Sequence, residues 1–246
     1  MKIIETLLTA AMRVPLVGGI FRSAISGLQR SMVGAMRRVD KNYVRPRNWS
    51  NQELKKFSGL FDGEIINVSG WRDEDKQGNH YRDYFSKASR YLVSNYSGSR
   101  GSTGSANEIF LDLEGEIPSE LKGRFQVAFN HTVLEHVFNI RQAVANICAL
   151  SHDAVILVTP FLQQVHYEEG SYGDYWRPTP MALERMLEDN GFTVVHQTCN
   201  DNPWYIVYVF TVAVRDPLHH ADRLPIITKT ARHLGAAHFG VSMADA

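Results

Sequence analysis

Two rhythms of apolar residues alternate along most of this chain. Short apolar runs bounded by Gly, Asn, Asp or Ser occur at residues 64–68, 90–94, 108–112, 125–129, 154–158, 192–195 and 205–214. Runs of this length, continuous rather than alternating, predict strands covered on both faces. Between them, apolar residues at helical spacing predict helices over 51–61, 78–88, 140–150 and 179–190. The last has Pro180 in its first turn and Gly191 as its stop. Residues 44–49 have the character of a linker, and the Gly/Ser-rich stretch 95–107 that of a loop. Strands alternating with helices in this number predict an α/β fold with a doubly wound, mostly parallel sheet of seven strands. The last two strands, joined by the turn-like residues 200–203, are close enough to pair antiparallel. Beyond residue 217 the pattern leaves helix and disorder equally open, and no internal repeat is present.

Ahead of the sheet lies a segment of different character. Ile3, Ile4, Leu7, Leu8, Ala11 and Met12 recur at helical spacing, and the pattern resumes after Pro15 with Leu16, Ile20, Ala24, Leu28 and Met32. Pro15 and the Gly18-Gly19 pair predict a break, hence two helices. Residues 1–47 hold nine basic side chains against Glu5 and Asp40, a net +7 that leaves −7 for the remainder. Arg13 and Arg22 interrupt every window of about 20 residues, which excludes a membrane span. They also argue against a cleaved leader. A basic amphipathic arm of this kind suits either a membrane surface or packing on a protein, its own domain or a partner subunit. The expected organisation is an arm and linker over 1–50, an α/β domain over 51–216 and a tail over 217–246.

Composition narrows the setting. The chain of 246 residues is 44% hydrophobic and 21% charged, ordinary for a globular protein, and its formal charge is zero. No nucleic-acid partner is implied by that balance. Cys148 and Cys199 lack metal-ligand spacing and suit buried thiols of a cytoplasmic protein, peripheral to a membrane if the arm docks there.

The loops after the strands carry the candidate chemistry, because open α/β sheets bind ligands beyond the carboxyl ends of their strands. Here they read Thr132-Val-Leu-Glu-His136, then Val158-Thr-Pro-Phe161, His166, and Asp174-Tyr-Trp-Arg-Pro-Thr-Pro180. This order and wording resemble class I S-adenosylmethionine-dependent methyltransferases, in the branch with a Leu-Glu-His box after strand four. The resemblance covers roughly residues 64–214 and implies a Rossmann-like sheet with an antiparallel last strand and S-adenosyl-L-methionine as cofactor. The first half departs from the family pattern. Ile66-Asn-Val-Ser-Gly-Trp71 has one glycine where two or three are usual, Asn67 replaces an aspartate, and Asn95 replaces the acid on the ribose. A hydrogen bond to a charged group contributes about 1.5–3 kcal/mol and a neutral one about 0.5–1.5. Asn for the acid therefore implies binding weaker by about 1.5 kcal/mol, near tenfold.

Carried onto this chain, the resemblance implies cofactor contacts from Asn67, Ser69, Gly70, Trp71, Asn95, Asp112, Asn130 and His131. Trp71 either fills the pocket or stacks on adenine. His166 is the first candidate base and Asp174 the second, with Tyr172, Tyr175 and Arg177 walling an acceptor pocket. An alternative for Arg177 is a structural pair with Asp174; Glu135 has the position of a helix cap and His136 that of a packing residue. No metal site is expected, since the spacing of His131, His136, His166 and Asp174 gives no ligand signature. The implied activity is O-methylation of a small-molecule or glycan-linked hydroxyl. Two other outcomes stay open: a catalytically inactive, methyltransferase-like binding module that docks a partner or membrane through its arm, and a domain for another nucleotide-like ligand.

Overall fold

The computed structural model describes residues 6, 9–10, 13–39, 45–96, 104–200, 207–224 and 228–229. Two compact units divide the chain, Met1–Val44 and Arg45–Ala246. In the first, helix α1 spans Pro15–Val39 without a break. Pro15 opens it rather than interrupting it, because a first-turn proline lacks only an N–H that has no intrahelical acceptor. Gly18 and Gly19 lie inside the helix, where glycine lowers stability without forbidding the conformation. Most of the helix expected before Pro15 lies outside the described residues.

The second unit begins with helix α2, Pro46–Ser58. The sequence reading of 44–49 as linker is corrected here: Pro46 stands at the first helical position, and Arg45 before it lies outside the helical region, φ −117° and ψ 87°. The strands follow as β1 (Glu64–Val68), β2 (Arg90–Asn95), β3 (Glu108–Phe110), β4 (Phe125–His131), β5 (Ser151–Leu162), β6 (Thr193–Cys199), β7 (Val207–Val214) and β8 (Thr228–Lys229). Their order across the sheet is β3-β2-β1-β4-β5-β7-β6-β8. β7 runs antiparallel to β5 and β6, and every other pairing is parallel. The expected seven-stranded sheet with its antiparallel last strand is thus present, and the tail adds the two-residue β8 at one edge. β3 ends at Phe110, so Asp112 lies in the turn beyond it.

The central strands contribute alternate residues to two cores. Ile65, Val127, Phe129, Ile156 and Phe210 face α2 with its Leu54 and Phe57. Ile66, Ala128, Val155, Leu157 and Val209 face helices α3 (Ile140–Leu150) and α4 (Pro180–Glu188). The side chains of Asn139 and Thr179 cap those two helices by accepting from Gln142 N and Ala182 N.

The helix expected over 78–88 is replaced by a single 3-10 turn, Tyr81–Asp83. Two buried carboxylates explain the difference. Asp73 accepts from Asn67 Nδ2, the Tyr91 hydroxyl, and Arg82 N and Nε, at 2.7–3.2 Å. Asp75 accepts from Gln77 N, Asn79 N and Nδ2, and the Tyr84 hydroxyl, at 2.7–3.1 Å. Side chains that gather nearby N–H groups compete with helix formation. Ser69, Trp71, Asp73 and Lys76 all take positive φ, which no helix admits. The aromatic spacing that predicted a helix survives as packing, with Tyr81, Tyr84 and Phe85 buried on the α2 side.

Candidate functional site

The sheet order reverses between β1 and β4, and the crevice outside those strand ends is where such sheets bind ligands. A cavity of about 980 Å³ opens there. Its wall comes from the turns after β1 (Ser69, Trp71, Lys76), β2 (Asn95, Tyr96), β3 (residues 111–114), β4 (132, 133 and 136–138) and β5 (167–173 and 175), with Arg47 of α2. A volume near 1,000 Å³ suits a nucleotide-sized ligand together with part of a second molecule.

On the β1 side, the Trp71 ring stays at the rim, 42% exposed, with the Arg72 guanidinium and Lys76 ammonium each 4.9 Å from its centre. The indole therefore borders the space without plugging it. The Asn95 carboxamide grips the Trp71 backbone, accepting from its N–H at 2.8 Å and donating to its carbonyl at 3.3 Å. Asn67 points away from the cavity and donates to Asp73 at 2.8 Å. Gly70 is required by that arrangement, since a Cβ there would collide with the Asn67 carboxamide. Asp112 lines the cavity and accepts from Glu114 N at 2.8 Å.

Asn130 and His131 correct a second expectation, because neither lines the crevice. Asn130 is buried and donates to the Val68 carbonyl at 2.9 Å. His131 faces α2, where a closed hydrogen-bond circuit holds it. Arg47 donates to Thr132 Oγ1 at 3.0 Å, and Thr132 Oγ1 lies 3.2 Å from His131 Nδ1. His131 Nε2 lies 2.8 Å from Ser50 Oγ, which donates back to the Arg47 carbonyl at 3.0 Å. Burial drives the His131 pKa well below its usual value, so the ring is neutral in this circuit. Arg47 stays charged: burial opposes its charge, but contact with Tyr81 outweighs it, including a 2.9 Å bond to the Tyr81 hydroxyl.

The β4–β5 side carries the titratable groups. The Asp174 side chain is enclosed and held by both oxygens, at 2.5 and 2.6 Å, in a bidentate pair with Arg177. It also accepts from His166 N at 2.7 Å. The Arg177 bonds pull its pKa down to about 2, the condition of a structural anion rather than a base. Arg177 further donates to the carbonyls of Gln163, Gln164 and Trp176. The pair ties the two ends of the loop after β5 together, the structural alternative named for Arg177 above, and neither residue lines the cavity. Tyr172 and Tyr175 do line it. Tyr175 folds over Gly173, where a Cβ would strike its ring, and meets Phe138 edge-on at 5.3 Å.

His136 lines the cavity, although its sequence position suggested only packing. Its Nδ1 lies 2.6 Å from the Gly173 carbonyl. A carbonyl only accepts, so Nδ1 carries the proton and Nε2 keeps its lone pair. Burial lowers the His136 pKa despite that bond, and the imidazole is neutral at neutral pH. His166 packs edge-on against it, ring centres 4.8 Å apart, and does not itself line the cavity. Beside His136 lies Glu135, 0% exposed, with no hydrogen-bond partner for either carboxyl oxygen. Its Oε1 is 3.7 Å from His136 Nε2, and burial pushes its pKa up to about 8. Arg47, Glu135 and His136 are the site residues that motif matching passed over. A proline preceded by arginine was the only signal for the first, and the neighbouring acid and imidazole of the Leu-Glu-His box for the others.

No family model matches this chain, and no curated protein matches it. Solved structures do. A candidate S-adenosylmethionine-dependent methyltransferase from Listeria monocytogenes is 12% identical, with a TM-score of 0.51 over 68% of this chain and 98% of that one. The magnesium protoporphyrin IX methyltransferase of Synechocystis PCC 6803 with bound SAH is 13% identical, with a TM-score of 0.49 over 69% and 83%. The 1,6-didemethyltoxoflavin-N1-methyltransferase of Burkholderia thailandensis is 16% identical, with a TM-score of 0.46 over 78% and 89%. With the strand order and the antiparallel β7, the Listeria likeness establishes that this chain has the class I S-adenosylmethionine-dependent methyltransferase fold.

Proposed function

We propose that the chain is an S-adenosyl-L-methionine-dependent methyltransferase acting on a hydroxyl of a small molecule or glycan. The observation that carries this reading is the open cavity at the sheet's reversal point, with Trp71 at its rim. Its donor set suits the cofactor's chemistry. Trp71 and Tyr96 offer rings to adenine, Asp112 accepts from an amino group or ribose, and the Arg47 guanidinium meets a carboxylate. Asn95 and Ser69 border the same space, the former with its amide already bonded to Trp71. When bound, the cofactor supplies an electrophilic methyl group on a sulfonium.

The chain's own part is positioning and proton transfer. His136 Nε2 is the atom poised to accept the acceptor's hydroxyl proton, with the Gly173 carbonyl fixing its tautomer. This role passes to His136 from His166, which backs it edge-on. The Asp174–Arg177 clamp keeps the loop after β5 in place over the cavity. Exposed Tyr167 and half-exposed Tyr175 stand at its mouth, and such rings cover the apolar faces of sugars.

Calorimetric titration with S-adenosylhomocysteine should show one site, and Trp71→Ala should weaken it about tenfold, the worth of a stacked ring. Absence of binding at millimolar ligand would sink the enzyme reading. It would favour the non-catalytic module, for which one observation speaks: the carboxamides of Asn67 and Asn95 are both engaged by the loop itself.

A further inference from the structure

Helix α1 is amphipathic in an uncommon way. Placed at about 100° per residue, Leu16, Val17, Ile20, Phe21, Ala24, Leu28 and Met32 fall within a sector of roughly 160°. Leu16, Ile20 and Leu28 are 75%, 63% and 64% exposed, and Phe21 and Met32 are exposed as well. The opposite sector holds Arg22, Ser23, Ser26, Gln29 and Arg30. Ser31 is the one polar residue among the described side chains that falls within the apolar sector. All four charged residues of Pro15–Val39 are arginines, and no acid occurs in its 25 residues. No described helix is long and apolar enough to cross a membrane.

We propose that α1 lies in the plane of an anionic lipid bilayer, its apolar sector in the acyl boundary and its arginines on lipid phosphates. A wide band of large aliphatic and aromatic side chains matches the depth such helices reach. Arginine suits the rim of that band, because its stem follows apolar surface while the guanidinium binds phosphate bidentately. Charge singles out the occupant: a helix with four cations and no anion complements a negative surface, and an apolar partner would leave the arginine row unused. Each arginine near such a surface contributes about fivefold in partitioning.

Flotation of the full chain with vesicles tests this, independently of any methyl transfer. At about 0.1 M salt the chain should float with phosphatidylcholine vesicles containing about one-third phosphatidylglycerol, and far less with phosphatidylcholine alone. Arg22→Glu with Arg30→Glu should cut partitioning at least twenty-fivefold. Leu16→Gln with Ile20→Gln and Leu28→Gln should abolish it, and thermal unfolding of the α/β domain should be unchanged in both variants. Equal partitioning of wild type and variants overturns the proposal. So does wild type that stays with the unbound fraction, whether monomeric or as a dimer in sedimentation that the Leu/Ile variant dissolves; the dimer would make a second copy the occupant.

Discussion

Glu135 and Asp174 lie close enough to influence one another, yet their environments push them in opposite directions. Asp174 has Arg177 on both oxygens and stays ionised; Glu135 has no partner and stays protonated. Their contributions to stability therefore slope oppositely with pH. Between the ordinary value of 4.5 and about 8, the unfolded chain releases the Glu135 proton while the folded chain keeps it. Stability from this group is complete below pH 4.5 and falls as pH rises through that window. Asp174 contributes stability that is present above pH 4 and lost as pH falls toward 2. Glu135→Gln should flatten the decline of urea stability between pH 5 and 8 and raise stability at pH 8, measured by equilibrium unfolding. An unchanged slope would mean that the carboxyl finds water or a partner in solution. The sequence showed that Glu and His stand together after β4, but not that one would be dry and the other aimed into a cavity. Both properties come from β5 and its loop closing over them, a contact distant in sequence.

At the scale of elements, strands were more legible than helices because continuous apolar runs have one use in a two-sided sheet. Every predicted strand exists, with ends moved by a few residues, as at β2, which extends to Asn95, and β5, which runs to Leu162. The connection from β1 to β2 was misread for a physical reason. Tyr81, Tyr84 and Phe85 have helical spacing, but Asp73 and Asp75 draw the preceding backbone into positive-φ turns. Asp75 is the stronger lever. Burial opposes its charge, and the Tyr84 hydroxyl with the amides of Asn79 and Gln77 outweighs that and holds its pKa low. Asp75→Asn exchanges an anion accepting four bonds for a group that must also donate, a loss of about 2–4 kcal/mol. Because the loop presents Trp71 to the cavity, hydrogen exchange should quicken across residues 69–80 while the β4 and β5 amides stay protected. S-adenosylhomocysteine affinity should fall with it. Uniform loss of protection would show instead that the loop is part of the global folding unit.

For the whole molecule, the boundary that matters lies just before Arg45. Sequence composition put it near residue 50, since Arg45-Pro46-Arg47 has the look of a linker. Yet Pro46, Asn48 and Ser50 are buried in the α/β unit. The first turn of α2 supplies two members of the circuit that fixes Thr132 and His131 at the end of β4. Arg47 also brings the cavity a buried cation, whereas Lys76 from the turn after β1 is half exposed. An amino-terminal turn thus completes a site built otherwise from strand ends far along the chain. A chain of residues 45–246 should keep the melting temperature and S-adenosylhomocysteine affinity of the full protein while losing flotation with anionic vesicles. A chain of residues 51–246 lacks Arg47 and Ser50. It leaves His131 and Tyr81 short of partners, a loss of about 3 kcal/mol, which for a domain of this size lowers Tm by roughly 6–12 °C. Its affinity should fall at least tenfold, since the remaining lining cation, Lys76, is half exposed and packs on Trp71. Equal melting and binding by the two truncations would detach α2 from the site and return the cavity to the strand-end turns alone.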